Sequence, residues 1–412
     1  MSPRGRTRFT VDQRPGCPDV LWIDNGILRI GVLPIAGGRI LSVAFRGEET
    51  LWRNADLLDD DLHPVAGHTI EPTAGTMGDW HNYGGDKTWP APQGWSGLDE
   101  WAGPPDPVLD SGAYAWRRVD HAVGVTIALM SGADPRTGLR ITRELTLRDG
   151  EASYDLSLRA ENTADRPVSW SLWNVTQRRA GDPGDGGVWV GLDRGDLELV
   201  ELVPGTGVPT AERSGDTAFV PHQDVVGKLG FPTAAGWLAH GAHGSTTSQA
   251  FRVERDRTYP DGGSRVEVWM EHPLDAPLVH LDGLQPTSRI VEIEVLGPRV
   301  ELAPGESMEL RITTGIGEGT EPVTAVSDAG HWGSPAPAGN GSAIGFFPYV
   351  TGSLQVERTG EELTLVNAGS PVAVSVRADL RGEPLRVCSD DGMTAWAAGI
   401  LAMPDHDKGA DR

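Results

Sequence analysis

Short apolar runs and two-residue alternation, interrupted by glycine, proline, asparagine and aspartate, recur along almost the whole chain. That punctuation predicts strands rather than helices. Val20-Leu21-Trp22-Ile23 leads through Asn25-Gly26, a type I′ turn signal, into an apolar stretch over 27–33. Strands are then expected over 36–45, 121–130, 139–147, 152–160 and 168–177, with Asp149-Gly150 as a further hairpin turn. In the second half, 187–190, 197–202, 235–240, 249–254, 264–270, 288–296 and 307–314 continue the pattern. No segment sustains an i, i+3, i+4, i+7 apolar face over three turns, and no internal repeat is visible. The expectation is an all-β chain folded as a large antiparallel sandwich.

Composition shifts divide the chain. The sandwich is expected over 18–316. Small, proline- and glycine-rich stretches around Gly317-Glu318-Gly319 and Gly333-Ser334-Pro335-Ala336-Pro337 read as a linker over 317–343. Strands at 353–358, 362–367, 372–378 and 384–388 then form a small β-rich C-terminal module over 344–403, and the polar end 404–412 is expected to be disordered.

Charge narrows the range of functions. With 35 basic and 58 acidic residues among 412, the formal net charge is −23, which disfavours nucleic acid and anionic membrane surfaces as partners. Cys17 and Cys388 are the two cysteines; they form no CxxC and fit a reduced, cytoplasmic protein. The basic start Met1-Ser2-Pro3-Arg4 runs into no apolar core of a signal peptide, and no stretch approaches the roughly 20 apolar residues of a membrane span. Histidines at 63, 68, 81, 222, 240, 272 and 280 show neither HxH nor HExxH spacing, so no metal is expected. Without a P-loop, a GxSxG elbow or a GxGxxG turn after a strand, no cofactor is expected either.

The densest chemistry lies in residues 80–95, Trp80-His81-Asn82-Tyr83-Gly84-Gly85-Asp86-Lys87-Thr88-Trp89-Pro90-Ala91-Pro92-Gln93-Gly94-Trp95. Glycines and prolines argue against helix, and the segment does not alternate as a strand does. It reads as a long structured loop of flat indoles beside hydrogen-bonding groups, the chemistry that holds a pyranose. An Ω-type loop whose tryptophans pack on the sheet beneath is the alternative.

Elsewhere, period two sorts chemistry onto faces. On Val291-Glu292-Ile293-Glu294-Val295, the two glutamates share a face opposite the apolar residues; this is a candidate general base or an ordinary solvated face. Glu267, Trp269 and Glu271 likewise share a face. On Ser169-Trp170-Ser171-Leu172-Trp173-Asn174-Val175-Thr176-Gln177 both sides carry an indole and polar groups, so Asn174 or Gln177 is either a ligand contact or a satisfied core amide.

Several of these pieces together resemble the domain family of unknown function numbered 4380, grouped with the galactose-mutarotase-like (aldose 1-epimerase) supersandwich. They are Gly37-Gly38-Arg39-Ile40-Leu41, Leu51-Trp52-Arg53-Asn54, 82–93 of the aromatic segment, Trp173-Asn174-Val175-Thr176-Gln177, Gly227-Lys228-Leu229-Gly230, Tyr259-Pro260-Asp261-Gly262-Gly263 and Glu292–Pro298 with Leu302–Glu306 (292–298 and 302–306). The resemblance implies an antiparallel supersandwich and acid/base chemistry at or near the anomeric carbon of a sugar or glycoside. In it, Glu294 takes the place of the epimerase glutamate base. Gln177 stands where epimerases carry a histidine acid, and Tyr83-Gly84-Gly85 replaces their histidine-glycine-glycine loop. Lys87 or His81 is then the expected acid. Trp52 and Trp89 would stack the ring, Asn82, Gln93 and Asn174 would bind hydroxyls, and Trp173, Gln177, Lys228 and Glu267 would complete the sugar contacts. Glu294, nearer the strand centre, is expected to matter more than Glu292. A lyase, a hydrolase and a non-catalytic carbohydrate-binding protein using the same aromatic cleft are the alternatives; in each case the partner is a small-molecule carbohydrate or glycoside.

Overall fold

A computed structural model describes residues 6–94, 97–193, 197–320, 322–338, 341–375, 377, 380, 382–389 and 392–400, leaving aside the side chains of 334–338, 341 and 342. Trp95 and the expected disordered tail 404–412 lie outside the described residues. The chain is all-β. Two antiparallel sheets of 12 and 10 strands pack face to face, and two four-stranded sheets follow them in the chain. The larger sheet runs, in spatial order, Arg8–Asp12, Val20–Asp24, Leu28–Leu33, Arg39–Phe45, Asp86–Ala91, Val168–Arg179, Ile290–Leu296, Val266–Glu271, Gly227–Phe231 and Val200–Pro204. The ten-stranded sheet has Ser245–Phe251, Ser307–Glu318, Ser153–Asn162 and Leu139–Arg148 at its centre. Between them lies one apolar core to which Val291, Ile293 and Val295 contribute from the first sheet and Leu145, Leu156 and Ile312 from the second.

Three sequence expectations are corrected. Asn25-Gly26 does turn the chain, with Gly26 at φ 84°, but Asn25 stays out of the left-handed region that a type I′ turn requires. Pairing closes at Asp24 and Arg29, and the Asn25 side chain holds the turn by accepting from the Ile27 and Leu28 amides. Residues 80–95 are not loop throughout, since Asp86–Ala91 is a fully buried strand of the larger sheet. Pro90 is tolerated there because this strand bridges Arg39–Phe45 only at Ile40–Asp86, so beyond Asp86 it ladders with Val168–Arg179 alone. The Gly84-Gly85 pair admits this strand. Both residues have positive φ, and a Cβ on either would lie 2.4 Å from the Trp52 carbonyl oxygen or 2.2 Å from that of Ile40.

The expected linker over 317–343 is largely paired strand. Ser307–Glu318 extends into it, and Val323–Ser327 and Gly330–Ala338 belong to one of the small sheets. Buried apolar residues outweigh the proline and glycine content. Val323 packs with Trp189 and Ala239 of the ten-stranded sheet, and Trp332 enters the core of the C-terminal sheets while its Nε1 donates to the Ala398 carbonyl at 2.6 Å.

A polar knot joins the two large sheets. Asp86 is ion-paired with Arg143 across the sandwich, and its second oxygen accepts from Asn174 Nδ2 at 2.8 Å and Thr176 Oγ1 at 2.6 Å. Arg143 also donates to the carbonyls of Gly38 and Asp86. All four side chains are almost completely buried. Removing one partner strands the other charge in the core, so Asp86→Ala is expected to lower unfolding free energy by about 3–5 kcal/mol. Urea denaturation of the variant tests this, and a loss below about 1 kcal/mol would show that the knot is not a structural anchor.

Candidate functional site

Because side chains alternate along a strand, anchoring Asp86 between the sheets turns Lys87 to the other face. Ladder registers then line up the outer face of the larger sheet. Lys87 and Glu294 both pair across Val175, Trp89 pairs with Trp173, Gln177 with Glu292, Glu294 with Glu267, and Trp269 with both Glu292 and Lys228. Loops close over this face, so every residue of Val266–Glu271 and Ile290–Leu296 is buried, and the solvated-face reading of the glutamates is excluded. What remains open is a cavity of about 490 Å³. Its floor carries Trp89, Trp173, Gln177, Lys228, Trp269, Glu271 and Glu292. Its walls come from Met77 and Trp80 on one side and His280 to Asp282 with Leu284 on the other. The Met77 amide and the Asp282 carboxylate meet at 3.3 Å.

Six buried ionisable side chains share this face, five of them in two ion-paired groups and the sixth, Glu271, accepting from Trp269 Nε1 at 3.1 Å. Lys87 Nζ lies 3.3 Å from Glu292 Oε1, which also accepts from Gln177 Nε2, and sits 4.5 and 4.9 Å from the ring centres of Trp89 and Trp80. Lys228 Nζ bonds Glu294 at 2.8 Å and Glu267 at 3.0 Å, 4.3 Å from the Trp173 ring centre. Trp173 Nε1 donates to the same Glu294 oxygen at 2.6 Å. The indoles form a continuous group, with Trp89 centred 5.0 Å from Trp101, 5.2 Å from Trp173 and 6.2 Å from Trp80. Among the described residues, Trp89 Nε1 and Gln177 Oε1 have no protein partner, a donor and an acceptor in residues that line the cavity.

Burial sets the protonation of the site. It pulls the Lys87 ammonium down to about 8, against the opposing charge of Glu292. It pushes the Glu271 carboxyl up to about 8, helped by Glu292, so Glu271 carries its proton at neutral pH. Burial also raises Glu294 and, more strongly, Glu267, with Lys228 opposing both shifts. Lys228 itself is held above the ordinary lysine range because Glu294 and Glu267 outweigh its own desolvation. The site thus holds proton donors and carboxylates side by side under aromatic surface. Among the described residues, no group of three or more His, Cys, Asp or Glu is arranged to hold a metal ion, and no helix is long and apolar enough to cross a membrane.

Residues 19–314, which contain every residue of the cavity, match the family model described as Domain of unknown function (DUF4380). The chain belongs to this family. No curated protein matches this DUF4380 chain. Solved structures with a similar fold include a galactose mutarotase-like protein from Clostridium acetobutylicum, at 8% identity and TM-score 0.48 over 76% of this chain and 99% of that one. Galactose 1-epimerase from Lactobacillus acidophilus is 13% identical with TM-score 0.45 over the same shares, 76% and 99%. A TPR-domain containing protein from Parabacteroides distasonis is 13% identical with TM-score 0.49 over 74% of this chain, which spans 48% of that protein's length. Identities this low transfer no reaction.

The structure brings Trp89, Gln93, Trp173, Gln177 and Lys228 of this DUF4380 chain to one cavity, and buries Lys87 just behind its lining, against Glu292 and the Trp80 and Trp89 rings. It separates others. Glu294 is completely buried beneath the floor, bonded to Trp173 and Lys228, and Glu292 rather than Glu294 reaches the cavity wall. Glu267 lies beside Glu294, behind Lys228. Asn174 faces the inter-sheet knot, bonded to Asp86 and Thr88, and is a satisfied core amide. His81, Asn82 and Trp52 line a neighbouring concavity. Glu271 and the 280–284 wall were missing from the expected site set. Glu271 shares its face with Glu267 and Trp269, whereas nothing in the pattern of 280–284 marks a cavity wall.

The raised Glu271 pKa has a consequence for stability. The folded state binds this proton more tightly than the unfolded chain, so the stability it contributes is complete below the ordinary value of 4.5 and is lost as pH rises through about 8. Lys87 has the opposite sign in a higher window, its lowered pKa adding stability as pH rises from about 8 towards 10.5. Glu271→Gln is therefore expected to flatten the fall in stability between pH 5 and 8, by up to roughly 1.4 kcal/mol per pH unit. Urea midpoints measured across that range test it; parallel curves for the two proteins would show that Glu271 is not held protonated.

Proposed function

We propose that this cavity binds a carbohydrate and performs acid/base chemistry at or near its anomeric carbon. The observation that carries the reading is that Glu292 and Glu271 both line the cavity beside Trp80 and Trp89, with Glu292 ion-paired to the buried Lys87 behind it. Indole faces cover the C–H face of a sugar ring, and Gln177, Gln93 and the charged groups meet its hydroxyls. In the simplest reaction, Glu292 takes the proton of the anomeric hydroxyl while Glu271 gives its proton to the ring oxygen. The C1–O5 bond then breaks and a C1 carbonyl forms. Rotation about C1–C2 and return of both protons along the same path close the ring as the other anomer, leaving the protein unchanged. The Lys87 ammonium beside Glu292 keeps the acceptor and the developing charge on the sugar paired throughout. Glu294 holds Lys228 in place and is a positioning residue in this scheme.

Anomeric exchange of free sugars, followed by NMR with and without the protein, tests the reading. Catalysed exchange is expected for at least one sugar. Glu292→Gln should lower kcat by about 10²–10⁴-fold, and Glu294→Gln should act mainly on KM. Full activity in Glu292→Gln with loss in Glu294→Gln would return the base role to the inner glutamate. Binding without exchange in the parent would favour a carbohydrate-binding protein. A second expectation concerns pH: because Lys87 and Glu271 both give up their protons near 8, turnover should fall as pH rises beyond that value. A rate that stays level to pH 10 would remove both from the chemistry.

A further inference from the structure

Beside the main cavity lies a second concavity of about 370 Å³. The two are not independent, since Met77, Trp80, Glu271 and Leu284 line both. Trp80 stands firmly in this shared wall, its Nε1 bonded to Asp110 Oδ2 at 3.0 Å while Asp110 is also ion-paired with the buried Arg39. The far side of the second concavity carries Trp52, Asn54, His81, Asn82 and Gln285. Asn82 uses its Oδ1 on the Gly84 amide at 3.1 Å, and its Nδ2 has no partner among the described residues. Gln285 uses its Nε2 on the Leu274 carbonyl at 3.1 Å, and its Oε1 is likewise free of a partner. His81 packs edge-on against His68 at 5.4 Å and makes no hydrogen bond among the described residues. An indole with unspent amide donors and acceptors is the same chemistry as the first cavity, at a similar size.

Resting on the carbohydrate reading above, we infer that the second concavity is a subsite for a second sugar unit. The preferred ligand is then a disaccharide or longer glycoside that lies across Glu271 and Trp80, rather than a free monosaccharide. One ring, with its anomeric hydroxyl free, occupies the Glu292 cavity and the next lies against Trp52, Asn82 and His81, with Glu271 and Trp80 at the junction of the two. This accounts for Trp52, Asn82 and His81 carrying sugar-binding chemistry while standing apart from the charged floor.

Calorimetric titration of the full chain tests this, with glucose, galactose and mannose set against cellobiose, maltose, lactose and mannobiose. A disaccharide is expected to bind at least about tenfold more tightly than the hexose it contains, a tenfold ratio being the least that one added subsite should give. In His81→Ala and Asn82→Ala that ratio should collapse towards one. His81 is exposed, so its removal leaves the fold standing and keeps the comparison meaningful if Asn82→Ala is unstable. A parent ratio near one, or a ratio that survives in both variants, would overturn the subsite while leaving the carbohydrate reading intact. No binding by any of the seven sugars would overturn both.

Discussion

The buried Asp86–Arg143 pair is the constraint on which both the core and the cavity face depend. It crosses the sandwich, ties Arg39–Phe45, Asp86–Ala91 and Val168–Arg179 to the opposite sheet through Gly38, Asn174 and Thr176, and leaves no charge unmatched between the sheets at that point. Its partner residues are spent on structure, and that has a geometric result. With period two, the residue after Asp86 must point outward, so the same constraint that locks the core turns Lys87 to the face that bears the cavity, where it pairs with Glu292. A one-residue slip of this strand would carry Lys87 between the sheets and Asp86 under the indoles, and both the Asp86–Arg143 and the Lys87–Glu292 pairs would be lost.

On the outer face the governing term is desolvation. Four glutamates and two lysines sit where water is scarce, and the fold balances them by pairing and protonation rather than by hydration. Lys228 is clamped by two carboxylates and stays charged, whereas Lys87 has one carboxylate partner and two indole faces, and its proton is correspondingly loose. The two lysines therefore play different parts despite their similar burial. Lys228 is an electrostatic fixture in the cavity floor. The other, with Glu271, is a group whose protonation changes within reach of neutral pH.

Much of this was legible in the chain itself. Alternation in 290–296 and 266–271 shows which glutamates share a face, and the structure keeps those faces together. Alternation does not say which face looks inward when both sides are mixed; that is why Asn174, read as a ligand contact or a core amide, needed the fold to show its place beside Asp86. Nor does it say where along a strand the covering loops stop, which decides that Glu292 and not Glu294 meets the cavity. The strand Asp86–Ala91 was hidden by Pro90, because the rule against proline in a sheet interior assumes partners on both sides and this strand has one along most of its length. The Lys228–Glu294 bond joins residues 66 apart and the Lys87–Glu292 pair residues 205 apart, separations at which no local pattern carries information.

The indole group has an optical consequence. Trp80, Trp101 and Trp173 each stand within about a ring's width of Trp89, and Trp80, Trp89 and Trp173 line the cavity. Excitation absorbed by any one ring is shared at such spacing, and the emission comes from the ring in the most polar surroundings. Lysine ammonium groups lie directly over three of those rings, so the local field that sets their emission colour also responds to whatever neutralises or displaces charge on the floor. An occupant that shifts charge or excludes water beside these rings is thereby expected to change the protein's own ultraviolet fluorescence, without a label.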